Sequence, residues 1–153
     1  MTMPTEPPPR RRRLAAAAAA LAAAVMLATS CADDSGRGAV FTSRTKPIEV
    51  EAGDRFSIAV PDNASFGDNW KVLRPGPKSP IVRSVEADYK ADDDSDPTAV
   101  GGGGTLYFVF EAEAPGRTEI VLRNCFRGVC DKEAAHRDDK QYVVTDTYRV
   151  TVR

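Results

Sequence analysis

Three cysteines, one histidine, one run of carboxylates and one run of glycines are the residues that could carry chemistry in this 153-residue chain. Cys125 and Cys130 enclose Phe-Arg-Gly-Val. A structural zinc site wants four ligands, and two cysteines with the lone His136 fall short of that. A redox pair usually reads Cys-x-x-Cys, so the spacing favours a structural disulfide in an oxidising compartment. His136 lies in the charged stretch KEAAHRDDK with no motif bringing a serine or cysteine to it, and reads as a solvated surface residue. Ala91 to Asp96, ADDDSD, lacks the sixth-position glycine and distal glutamate of an EF-hand loop and reads as an acidic loop. Gly101, Gly102, Gly103 and Gly104 are followed by a strand-like run rather than by Lys-Ser and a helix, so they do not form a phosphate loop. No nucleophile–base pair, metal or cofactor site emerges, and the chain does not read as an enzyme.

The compartment follows from the first thirty residues. Arg10 to Arg13 form a positive region, Leu14 to Leu27 an alanine-dominated apolar region, and small residues lead to Cys31. This is an export signal, shorter than the ~20 residues of a spanning helix. Ala28-Thr29-Ser30 suits general signal peptidase, and together with Cys31 it also resembles a bacterial lipobox. Lipidation of Cys31 would account for the odd cysteine in an exported chain, and two acyl chains suffice for stable anchoring. The other outcome is a secreted protein with a free N-terminal cysteine. The expected place is the outer face of a bacterial cell membrane.

Without residues 1–30 the chain keeps 17 basic and 21 acidic residues, a net charge of −4. That argues against a nucleic-acid partner, which needs a clustered basic surface. Residues 31–46 are polar and glycine-punctuated and read as a flexible tether; residues 47–153 are the size of one domain. The domain is expected to be a monomer.

The elements that must position these residues are strands. Ile48, Val50 and Ala52 alternate with charges, as do Phe56, Ile58 and Val60 with polar or small residues. IVRSVEADY is a looser candidate. TLYFVFEAEA, RTEIVLRN and DTYRVTVR complete the set, the last with Tyr148, Val150 and Val152 on one face. Period-two alternation marks half-buried strands. About seven short strands in about 110 residues predict an all-β, immunoglobulin-like two-sheet sandwich. KEAAHRDDK could add a short turn of helix.

Three loops punctuate this scaffold in order: DNASFGDNW after the second strand, VGGGG before the phenylalanine-rich strand, and NCFRGVC after the next. In this order the chain resembles the chagasin family of cysteine peptidase inhibitors, over about residues 47–153. Members carry Asn-Pro-Thr-Thr-Gly-aromatic with a tryptophan beyond it, then Gly-x-Gly-Gly, then Arg-Pro-aromatic. Asn63, Gly67 and Trp70 fit the first motif, whereas Ala64, Ser65, Phe66 and Asp68 stand where the family has proline, two threonines and the aromatic. The glycine run fits the second motif. In the third, Phe126 stands for the aromatic, and Asn124 and Cys125 occupy the arginine and proline places.

The resemblance implies that three loops at one end of the sandwich enter the cleft of a papain-like cysteine peptidase, with no cofactor. Asn63, Ser65, Phe66, Gly67 and Asp68 would meet the cleft. Gly101 to Gly104, with Asn124, Phe126 and Arg127, would flank it, and Trp70 would pack beneath. The departures leave a second class open, a non-inhibitory cell-envelope binding module on the same sandwich.

Overall fold

A computed structural model describes residues 36–92 and 102–153. Residues 1–35, among them the expected export signal and Cys31, lie outside the described residues, as do Gly101 and most of the acidic run. Among the described residues eight strands form two four-stranded sheets. In chain order they are β1 (Ala39–Phe41), β2 (Ile48–Val50), β3 (Arg55–Asp62), β4 (Trp70–Val72), β5 (Val82–Ala91), β6 (Gly104–Ala112), β7 (Gly116–Asn124) and β8 (Thr145–Val152). One sheet has the order β1-β3-β6-β5, the other β2-β8-β7-β4. The expected sandwich is present, with one strand more than the approximate count. β1 and β4 were not foreseen: each is three residues long and lacks the alternating continuation that Ala52 gives to β2.

Alternation does the work where the strands are long. β8 exposes and buries strictly in turn until its last residues, and β7 buries Ile120, Leu122 and Asn124. The core joins these to Phe56, Ile58 and Val60 of β3 and to Phe108, Phe110 and Ala112 of β6. Phe56 and Phe110 are register partners, and their rings stack with centroids 5.5 Å apart. Burying a ring of this size is worth several kcal/mol, roughly 25 cal/mol per Å² of apolar surface.

β3 breaks the alternation. Ser57 and Ala59 fall between the core positions of β3 yet are buried, and the chain before β2 lies against Ser57. The Ser57 hydroxyl donates to the Arg37 carbonyl at 2.5 Å. The Arg37 guanidinium lies 4.0 Å from the Tyr107 ring centroid and pairs with Asp88 at 2.5 Å. β1 then pairs in parallel with β3, Ala39 opposite Phe56 and Phe41 opposite Ile58. Further on, Arg44 pairs with Asp146 at the start of β8. The reading of residues 31–46 as a free tether is therefore corrected for residues 37–44. Their small and polar composition conceals a strap that gains its order from the sheet it lies on. KEAAHRDDK forms successive turns and no helix; its two central alanines are too few to offset a solvated, charged remainder.

Candidate functional site: one pole of the sandwich

The antiparallel pairings bring the three foreseen loops to one pole. β3 ends at Asp62, whose register partner is Gly104, the first residue of β6. β4 begins at Trp70 opposite Asn124, the last residue of β7. The loop of residues 63–69, the glycine loop and the loop after β7 are thus set side by side by strand register alone.

The first loop is braced from within. The Asn63 carbonyl accepts from the backbone N–H groups of Phe66, Gly67 and Asp68 at 3.0–3.1 Å, and its side-chain Oδ1 accepts from Phe66 N–H as well. The Asn63 N–H donates to Asp68 Oδ2 at 3.0 Å. Asp68 Oδ1 accepts from Asn124 Nδ2 at 2.6 Å, while Asn124 Oδ1 accepts from Asn69 N–H at 2.8 Å. Asn124 is only 3% exposed. Its expected role at the contact surface is corrected: it is a bracket behind the loops. The carboxylate at Asp68, partly buried, is offset by these donors.

The first and third loops are joined directly. Arg127 N–H donates to the Gly67 carbonyl at 2.7 Å. Gly67 has φ +127°, and a Cβ there would stand 2.6 Å from Arg127 Cγ and 3.1 Å from the Phe126 ring. Only glycine fits such an approach and such a dihedral. Arg127 itself takes φ +49°, inside the tight turn Phe126–Gly128 that the Cys125–Cys130 disulfide closes.

Phe126 does not face a partner. It is 1% exposed and centres a small second core with Ala135 and Val143, flanked by Val129 and Tyr142. The expectation of an exposed anchor is corrected, because the turn directs the ring inward beneath the loops. Phe66 does stand out, 46% exposed, with its ring 5.2 Å from Phe126 and 5.1 Å from Tyr142. Ser65 and the Arg127 side chain are exposed beside it, and Gly102 is exposed in the glycine loop. Gly103 is half-buried next to Asn63. Gly104 is buried within β6 and is no loop contact; the Lys90 carbonyl and the Tyr89 ring leave no room for a side chain there. Trp70 packs partly buried against the main core. Tyr142 was missed, although the apolar Tyr-Val-Val ahead of β8 signalled a buried partner.

Burial, and after it the neighbouring Asp68 carboxylate, raises the Asp62 carboxyl above its ordinary 3.8. Among the described residues no group of three or more His, Cys, Asp or Glu side chains converges as metal ligands.

The family model described as chagasin family peptidase inhibitor I42 matches residues 49–145, most of the domain. The chain belongs to the chagasin family. Its fold is also that of solved relatives. Amebosin superposes with a TM-score of 0.54 at 21% identity, covering 76% of this chain and 98% of amebosin. A cysteine protease inhibitor from Entamoeba histolytica superposes at 0.51 and 18% identity, covering 75% and 95%. No curated protein matches the chain. Members of the chagasin family are peptidase inhibitors rather than enzymes.

Proposed function

We propose that the protein is a lipid-anchored, extracytoplasmic inhibitor of papain-like cysteine peptidases, held to the outer face of a bacterial membrane through Cys31. The observation that carries the inhibitory reading is the joined pair of loops, with Phe66 exposed on a braced support at the pole the family uses. Bracing before binding lowers the entropy lost on association, and aromatic side chains are enriched at protein interfaces. Ser65, Arg127 and Gly102 supply a polar rim. The peptide between these residues is not offered as a substrate strand, so inhibition is expected to be reversible and competitive.

The test is titration of residues 32–153 against papain and a cathepsin-like peptidase, reading residual activity. Competitive loss of activity supports the reading, and Phe66→Ala should weaken it by about 1 kcal/mol or more. Papain-like enzymes left untouched at micromolar protein would favour the non-inhibitory envelope binding module. The anchor has its own test. Wild type should partition with membranes carrying acyl mass, and Cys31→Ala should be released or stalled in processing. A soluble protein with an unmodified N-terminus would overturn the lipoprotein assignment.

A further inference from the structure

Phe66 is an exposed loop ring held on two sides. Phe126 lies 5.2 Å away with its plane tilted by 57°, and Tyr142 lies 5.1 Å away, edge-on at 89°. Phe126 and Tyr142 themselves are 4.6 Å apart, so the three rings close a triangle. Edge-to-face and offset contacts at these distances are attractive and directional. Phe126 forms the buried floor. Tyr142 forms a partly exposed side wall, and it comes from residues 131–144, a segment outside the three loops to which the family resemblance assigns contacts.

That segment is itself fixed. Tyr142 N–H donates to the Asp139 carbonyl at 3.0 Å, and Asn124 N–H donates to the Val144 carbonyl at 2.9 Å. Between them Val143 is buried in the small second core. A wall anchored at both ends can restrict a ring that would otherwise hop between rotamers.

We propose that Tyr142 is a positioning residue of the binding edge: it holds the Phe66 ring in one orientation before any partner arrives. The inference rests on the reading of Phe66 as an anchor for its functional consequence, and on ring geometry alone for the positioning. An anchor already ordered loses less freedom on binding, so the benefit of Tyr142 is transmitted through Phe66.

Aromatic NMR of residues 32–153, run beside papain inhibition, tests both parts. In wild type the Phe66 ring protons should show a fixed set of cross-peaks to Phe126 beneath and to Tyr142 beside it. Tyr142→Phe should keep the Phe66–Phe126 set. Tyr142→Leu, which preserves apolar packing if Tyr142→Ala folds poorly, should weaken and average the Phe66–Phe126 cross-peaks as the Phe66 ring gains rotamers, while the main-core methyl shifts stay put. Inhibition should weaken about tenfold in Tyr142→Leu and stay within about twofold in Tyr142→Phe. Adding Tyr142→Leu to Phe66→Ala should cost nothing further, as coupled residues do not add. Phe66–Phe126 cross-peaks unchanged in Tyr142→Leu overturn the positioning role. Altered cross-peaks with unchanged inhibition overturn its consequence for binding. A wild type that leaves papain untouched while the cross-peaks respond overturns only the inhibitory reading.

Discussion

Two apolar cores among the described residues differ in how they are built. The main core is filled by alternate residues of long strands, with Phe56 and Phe110 at its centre. The second, around Phe126, Ala135 and Val143, is assembled from a tight turn and successive irregular turns. The first supports the sandwich. The second supports the pole where Phe66 stands. The same kind of packing thus serves the whole fold in one place and the shape of one edge in the other.

Phe110→Ala should produce the largest effect. It removes a fully buried ring from the centre of the sandwich and should lower unfolding free energy by about 3–5 kcal/mol, read by equilibrium urea denaturation. Phe126→Ala should cost less, about 2–3 kcal/mol, because a small cluster near the surface can collapse more readily. Its inhibition should fall further than that of any variant of equal stability in the main core. Equal losses of inhibition at matched stability would dissolve the distinction between the two cores.

The smallest effect sharpens the electrostatics of the pole. Because the folded Asp62 carboxyl titrates above 3.8, folding takes up a proton in the window above that value, and stability from this group falls as pH rises. Its contribution is complete below the unfolded value and lost once pH passes the raised folded value. Asp62→Asn should therefore gain on wild type in urea at about pH 7 and lose that advantage at about pH 3. An advantage equal at both would assign the effect to packing.

The two cores also differ in how far they could be read beforehand. Ile58, Phe110, Leu122 and Val150 announce themselves by period-two alternation, and the sandwich follows from them. Phe126 has no periodic neighbours, so neither the direction of its ring nor its burial was legible. The Asp68–Asn124 bracket joins residues 56 positions apart, and no local pattern encodes such a pair. Ordered loops were legible by resemblance; which side chains face outward was decided by turn geometry. The strap failed to register for another reason. Gly38, Ala39 and Ser43 look like linker residues, and Arg37 and Arg44 find their carboxylates only in the folded domain.

That strap gives the domain a heading. β1 runs parallel to β3, so the chain joins the sandwich from the end opposite the loops, with Gly36 beside the Arg55 side chain at the foot of β3. Five residues from Ala32 to Gly36 can reach at most about 18 Å, and the two arginine clasps prevent the strap from lengthening that leash while they hold. Should a membrane hold Cys31, it would lie behind the sandwich. Phe66 would look away from the bilayer, toward whatever approaches the cell from outside, much as a lamp on a short bracket lights the street rather than the wall.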